Sequence, residues 1–458
     1  NILWGDGQVL IIMLLACGIW FTVKLGGVQL RHFGHMFSLL KGSNTSTKDG
    51  ISSFQALCTS LSARVGTGNL AGVAVAISLG GAGAIFWMWM IALLGMATGF
   101  AESVLGQLYK VRDENGEFRG GPAYYIKQGL NKTWLAVAFS LCLFFGYGFV
   151  FSAVQANTIT DALNNAYSFP TEYVGLAIIA LAALIVVGGL KSIARFAEFV
   201  VPFMGIGYVL VALAITFINI SELPAMLLDI VKSAFGLQEA GAGALGAAIK
   251  NGIQRGLYSN EAGSGSVPHA AASAVPNPNH PVSQGYIQML GVFLDTLVLC
   301  TSTAFIILLA GGSSSDQMEG IRLTQDAMSS HLGEGGTDFV AAAISLFAFT
   351  SVVANYAYGE SNLHMFKLDN KIGRAVYTIG YLGMIYWGAQ AALPQVWAMA
   401  DMALGLMTVI NIIAIVWMTP TIVSISKDYF KKKDSGANME YKAGDCEIQG
   451  KSEDGIWD

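Results

Sequence analysis

Two polar, glycine-rich stretches interrupt long apolar runs of this sequence, and both have the chemistry to hold charge. The first reads Ser62-Ala63-Arg64-Val65-Gly66-Thr67-Gly68-Asn69 and the second Gly256-Leu257-Tyr258-Ser259-Asn260-Glu261-Ala262-Gly263-Ser264-Gly265-Ser266. In hydrocarbon a charged side chain at a helix centre costs about 2.5–3.5 kcal/mol, so Arg64 and Glu261 persist only beside a cavity or a partner. Glycine lets the backbone unwind, which frees carbonyls to coordinate a hard cation and N–H groups to bind an anion. The positive end of the half-helix beyond each break favours a carboxylate. Glycine also serves close helix packing. Two polar interruptions in equivalent places exceed what packing alone requires.

These stretches must be positioned by membrane helices. Of 458 residues, 54% are hydrophobic and 12% charged, about half the charged share of a soluble protein. The 54 glycines fit spanning helices, where small residues let backbones approach. Apolar segments long enough to cross about 30 Å of hydrocarbon fall near 4–25, 51–79, 82–109, 134–163, 172–190, 196–219, 242–275, 284–311, 338–363, 373–392 and 396–425. Backbone groups in lipid must be satisfied within each segment, so these are helices and not barrel strands. The run 9–23 has no basic region before it and no cleavage site after it, and is read as a span rather than a signal peptide.

Basic residues set the orientation. Arg31, Lys41 and Lys48 occupy the first connection, Lys110, Arg112, Arg119, Lys127 and Lys132 the third. Lys191 and Arg195 fall in the fifth, Lys367, Lys371 and Arg374 in the ninth, and Lys427 and Lys431-Lys432-Lys433 after the last span. The alternate connections hold only Lys232 and Arg322, beside acids. The expectation is eleven spans, an outside N-terminus and a cytoplasmic C-terminus. No basic stripe suggests nucleic acid.

With the first span set aside, ten divide into two sets of five, each opened by one interrupted helix. The chain then reads as an extra N-terminal helix and basic connection over 1–50, a first five-helix repeat over 51–219 and an extracellular connection over 220–239. A second, inverted repeat covers 240–425, and a polar cytoplasmic tail, expected to be disordered, covers 426–458.

Other polar residues are weighed one by one. Gln155, mid-segment in a stretch that would wall the cavity, is a candidate substrate ligand or an interhelical hydrogen bond. Asn355, one turn past Ser351, divides the same way. Tyr258 is a candidate aromatic cap. Glu261 could hold a pocket network, pair with Arg64 or Arg255, or titrate as a proton site. Glu102, Glu198, Asp295, Glu360 and Asp401 are candidates by their depth alone. The five cysteines show no CxxC spacing and the six histidines no metal spacing. GxxxxGK[ST], HExxH and GxSxG are all absent, so neither a nucleotide nor an enzyme is implied.

The stretch Gly80-Gly81-Ala82-Gly83-Ala84-Ile85-Phe86-Trp87-Met88-Trp89-Met90-Ile91-Ala92-Leu93-Leu94-Gly95 resembles the signature of the sodium:alanine (alanine or glycine:cation) symporter family. Arg255-Gly256-Leu257-Tyr258-Ser259-Asn260-Glu261-Ala262-Gly263 resembles a second family stretch, and the likeness runs from about 15 to 425. The resemblance implies an all-α polytopic membrane protein with the leucine-transporter fold, a 5+5 inverted repeat at spans two to eleven. It implies symport of alanine or glycine with Na⁺ by alternating access in the cell membrane, a single copy in the lipid bilayer being enough. Carried over by motif, the amides of Thr67 and Gly68 would meet the substrate carboxylate, with Gln155, Tyr258, Ser259, Gly263 and Asn355 around the substrate. Asn69, carbonyls near Arg64 and the Ser259 hydroxyl would hold one sodium. Thr350 and Ser351, with carbonyls around Ser62 and Val65, would hold a second; oxygen-only ligation suits a hard cation. Arg64 and Glu261 depart from the fold's usual pattern. A proton-coupled symporter using Glu261 is the alternative.

Overall fold

The computed structural model describes residues 3–4, 8–43, 50–114, 116–237, 241–311 and 320–457. Lys48 of the first basic connection lies outside the described residues.

Each apolar segment of the sequence is helical. The N-terminal segment forms α1 (Val9–Lys24), followed by the short helices α2 (Val28–Arg31) and α3 (Phe33–Leu40). The first interrupted segment is α4 (Ser53–Arg64), a π-helical turn (Gly68–Gly72) and α5 (Val73–Gly80). Then come α6 (Gly83–Leu108), α7 (Pro122–Leu130), α8 (Thr133–Phe145), α9 (Phe151–Tyr167), α10 (Thr171–Val186), α11 (Gly189–Ile218) and α12 (Leu223–Ala234). The second interrupted segment is α13 (Gly241–Asn260) and α14 (Val267–Ala272). It is followed by α15 (Pro281–Val292), a π-helical run (Phe293–Cys300), α16 (Thr301–Leu309), α17 (Ile321–Leu332), α18 (Gly335–Met365), α19 (Lys371–Gln390), α20 (Leu393–Trp417) and α21 (Thr419–Ser435). Among the described residues, six helical runs of 25 to 35 residues are long and apolar enough to cross a membrane: Gly83–Leu108, Thr133–Tyr167, Gly189–Ile218, Pro281–Leu309, Gly335–Met365 and Leu393–Trp417. Lipid-facing side chains such as Phe199, Phe203 and Phe217 stay exposed while the interrupted helices are buried among the others. The chain is an all-α, multi-pass membrane protein.

Local sequence explains where the interrupted helices start and stop. α4 opens with a capping box: Ser52 Oγ accepts from the Gln55 amide at 3.1 Å, and Gln55 Oε1 accepts from the Ser52 amide at 3.0 Å. It ends at Arg64 because Val65 turns extended, with φ −76° and ψ 95°. Gly66 follows, where any side chain would collide: a Cβ there would lie 2.6 Å from Gln155 Oε1 and closer still to Ser351 Oγ. α13 stops at Asn260 because Glu261, Gly263 and Gly265 all take positive φ. The breaks are narrower than the sequence suggested, and α13 keeps Tyr258 and Ser259 in regular helix.

Among the described residues there are two short strand pairs. β1 (Ile51–Ser52), just before α4, runs parallel to β4 (Ala274–Val275), just after α14. β2 (Val111–Arg112) pairs antiparallel with β3 (Phe118–Arg119). The first interrupted segment therefore begins where the second ends.

The tail departs from expectation, because it is packed and not disordered. Trp457 is 1% exposed and its indole N–H donates to the Leu108 carbonyl, while the Tyr441 amide donates to the Asn279 carbonyl. Tyr109 donates its hydroxyl proton to the Gln449 carbonyl. Two aromatics amid polar sequence supply the apolar area that holds the segment down.

Candidate functional site

The first break packs against the last turn of α13, just ahead of the second break. A Cβ added at Gly68 would lie 3.0 Å from Ser259 Cα, so any larger residue would push the π-helical turn and α13 apart. Around the contact lie a small cavity and two clusters of oxygen atoms.

The cavity is bounded by Ala63, Arg64, Gln155, Tyr258, Glu261 and Asn355, with Tyr147, Phe151 and Leu404 completing it. Its volume is only about 10 Å³, so the surrounding side chains nearly fill it. Beside it the Thr67 amide and hydroxyl both donate to Gln155 Oε1, at 2.9 and 2.8 Å. A carbonyl oxygen is thus held by the bare N–H that the break creates. Tyr258 roofs the space, its ring 4.8 Å from that of Trp397 and 5.9 Å from that of Phe151. Above it Arg255 Nη2 grips both Asp401 carboxylate oxygens at 2.7 and 2.6 Å, its guanidinium 4.4 Å from the Trp397 ring. Four buried polar atoms on three side chains at the cavity have no hydrogen-bond partner among the described residues: the Tyr258 hydroxyl, Asn355 Oδ1, and Arg64 Nε and Nη2.

The first oxygen cluster centres on Asp295, in the π-helical run after α15. Its Oδ1 accepts from Asn69 Nδ2 at 2.7 Å, and its Oδ2 accepts from the hydroxyls of Ser259 and Thr296, both at 2.8 Å. Asn69 also turns Oδ1 back to accept from the Gly66 amide at 2.9 Å, which braces the break. A fully buried carboxylate beside two hydroxyl oxygens supplies the hard oxygen donors a cation such as Na⁺ takes, while the Asn69 amide nitrogen donates to it here. The second cluster joins α4 to α18. Ser62 Oγ donates to the Thr350 carbonyl at 2.8 Å, Ser351 Oγ to the Val65 carbonyl at 3.3 Å, and Thr350 Oγ1 to the Phe347 carbonyl at 2.8 Å.

The structure thus brings Ser62, Val65, Thr350 and Ser351 together, and Asn69 with Ser259 around Asp295, the groupings that the resemblance implied. Ser259 faces Asp295 and not the cavity. Gly263 is also away from the cavity: its amide donates to Glu102 Oε1 at 3.0 Å, and the Gly265 amide to Glu102 Oε2 at 3.2 Å. Asn411 Nδ2 donates to Glu102 Oε2 at 2.8 Å and to the Gly263 carbonyl at 3.0 Å, and Tyr125 donates to Asn411 Oδ1. Glu102 therefore caps the second break. Arg64 lies within electrostatic reach of Glu102, Glu261 and Asp295, with Nη1 donating to the Gln288 carbonyl at 3.4 Å. Glu261 accepts from Ser266 Oγ at 2.7 Å, and Arg255 pairs with Asp401 rather than with it. Among the depth-flagged acids, Glu198 accepts from Gln55 at 2.8 Å and Glu360 faces Arg374 at 3.5 Å. Asp295 and Glu102 are the residues whose roles the sequence left unassigned. Each is a lone acid in an apolar helix, which signals a role without naming the partner.

Interrupted helices, a buried polar cavity and oxygen clusters within a multi-pass bundle define a membrane transporter. Comparison narrows the class. The pattern of the sodium:alanine symporter family matches residues 1–443, and the chain belongs to that family. It is 46% identical, over 95% of its length and 90% of the relative's, to the Bacillus subtilis "Probable sodium/glutamine symporter GlnT". It is 44% identical to the "Amino-acid carrier protein AlsT" of the same organism, over 95% of this chain and 92% of that one. With the "Sodium/alanine symporter AgcS" of Methanococcus maripaludis it shares 37% identity, over 94% and 95%. The chain is a sodium-coupled amino-acid symporter of the cell membrane.

Proposed function

We propose that this protein carries a small neutral amino acid, alanine or glycine, into the cell with Na⁺ by alternating access. The observation that carries the reading is the Thr67 amide at the first break, directed at a side-chain oxygen beside a closed polar cavity. The amides of Thr67 and Gly68 hold the substrate carboxylate once Gln155 withdraws. Asn69, Ser259 and Asp295, with carbonyls near Arg64, hold one sodium; Ser62, Val65, Thr350 and Ser351 hold a second. Eleven spans with the N-terminus outside follow from the distribution of basic residues. Pairing of the start of the first interrupted segment with the end of the second supports opposite directions for the two, as a 5+5 inverted repeat of the leucine-transporter type requires. One copy contains the whole site.

Moving one Na⁺ down 100 mV yields about 2.3 kcal/mol, which at about 1.4 kcal/mol per tenfold supports a concentration ratio on the order of fifty. Counterflow of labelled alanine in proteoliposomes, with and without a sodium gradient, tests the proposal. Uptake indifferent to sodium would remove the coupling.

A second reading of the substrate has its own observation. The unpaired Asn355 Oδ1 and Arg64 Nε could accept from and donate to a side-chain carboxamide, and one relative is named for glutamine. Glutamine displacing labelled alanine better than methionine would favour it; equal displacement would dismiss it.

A further inference from the structure

A second cavity, about 350 Å³, lies between α3, α4, α11 and the π-helical run after α15. Its walls include Leu40, Phe54, Leu57, Leu61 and Leu294, and the Cys58 thiol is the most polar side-chain group among them. The sequence of α11 makes the space. Pro202, inside this helix, has no N–H for the Glu198 carbonyl, and its ring pushes that turn aside. Gly205, nearly one turn on, has no side chain, and a Cβ placed there meets nothing within 4 Å. Ile206 and Leu210 also line the groove and are 62% and 60% exposed, so it opens onto the face of α11 turned to lipid. Two exposed bases lie close in the chain to lining residues: Lys41 directly follows Leu40, and Arg195 lies two turns before Pro202 on the same face of α11.

We propose that this groove binds one acyl chain of an inner-leaflet phospholipid, whose anionic headgroup is held by Lys41 and Arg195. The medium bathing an apolar groove at this depth is hydrocarbon, and a basic rim favours anionic lipids. The assignment rests on the orientation proposed above, which puts the first connection on the cytoplasmic side. The groove bears on the ion site. Val65 lines it, yet the Val65 carbonyl accepts from Ser351. A chain seated there fills the space into which α4 would retreat from α18, and so holds the second oxygen cluster together.

The full-length protein in nanodiscs, with phosphatidylglycerol carrying a diazirine midway along one chain, tests this. Irradiation should cross-link peptides covering 54–65 and 201–210. Gly205→Phe, which fills the groove, should cut that labelling at least fivefold. Gly207→Phe, on the exposed side of the same helix and equally free of neighbours, should leave it within twofold. Phosphatidylcholine with the same chain should label at least threefold less. Equal labelling in wild type and Gly205→Phe overturns the acyl site; equal labelling by the two headgroups overturns the role of Lys41 and Arg195. The sodium-induced thermal shift should shrink in wild type stripped of lipid but not in Gly205→Phe; an equal loss in both overturns the link to the ion cluster. Cross-linking as expected, with no sodium-dependent uptake by any form, would count against the transport reading and leave the groove standing.

Discussion

Gln155 Oε1 stands 2.9 Å from the amide nitrogen of Thr67 and 2.8 Å from its hydroxyl oxygen, at the point where the first interrupted helix leaves its peptide groups bare. A neutral amide oxygen thus occupies the place proposed for a carboxylate oxygen of the substrate. Gln155→Glu would put a permanent carboxylate there. Alanine uptake should fall at least a hundredfold, whereas Gln155→Leu should lower it about tenfold by leaving the Thr67 amide unpaired. Labelled-alanine uptake into proteoliposomes reads both.

The Asp295 cluster predicts a split between ion and substrate. Asp295→Asn removes the one formal charge ringed by Asn69, Ser259 and Thr296. The sodium concentration for half-maximal uptake should rise at least tenfold, while alanine affinity at saturating sodium stays within threefold. A parallel loss of both would place Asp295 in the substrate site instead.

Glu102 predicts a structural loss. Its carboxylate accepts from two amides of the second break, and such charged hydrogen bonds contribute about 1.5–3 kcal/mol each. Glu102→Leu should lower the melting temperature clearly, and Glu102→Gln, which keeps part of the bonding, should lower it less.

Glu261 separates sodium from proton coupling. With Glu261→Gln a sodium symporter that still folds keeps its sodium dependence. Loss of uptake driven by a pH gradient in that variant, with sodium having no effect in wild type, would establish the proton alternative.

A pH dependence follows from Lys110, just past the end of α6. Its ammonium donates to Gln107 at 2.9 Å and to the Ala274 carbonyl at 3.1 Å, between the rings of Phe118 and Trp457. Burial, with added repulsion from Arg112, pulls its pKa from 10.5 down to about 7. Between these values the unfolded chain binds the extra proton, so stability rises with pH from about 7 towards 10.5 and is flat below. The melting temperature of wild type relative to Lys110→Met should therefore climb between pH 7 and pH 9.

How far the sequence could be read follows from what each residue depends on. Helix positions and both breaks were legible because hydrophobicity, glycine and isolated charge are local signals. The hydroxyl pair Thr350-Ser351 was legible through resemblance, and it does meet Ser62 and Val65. Gly263 was assigned to the substrate because the break's partner, Glu102, is 161 residues away in sequence. Asp295 was visible as a costly acid, but its ring of donors comes from three separate segments. The tail was misread because composition alone does not reveal what a single Trp457 can dock against.

The parallel β1–β4 pair has a mechanical meaning. It stitches the start of α4 to the end of α14 by main-chain bonds, so neither half-helix can swing alone without tearing the seam. Under the proposed orientation, a passage opening at this edge would carry both as one leaf of a door, or begin by unzipping four residues.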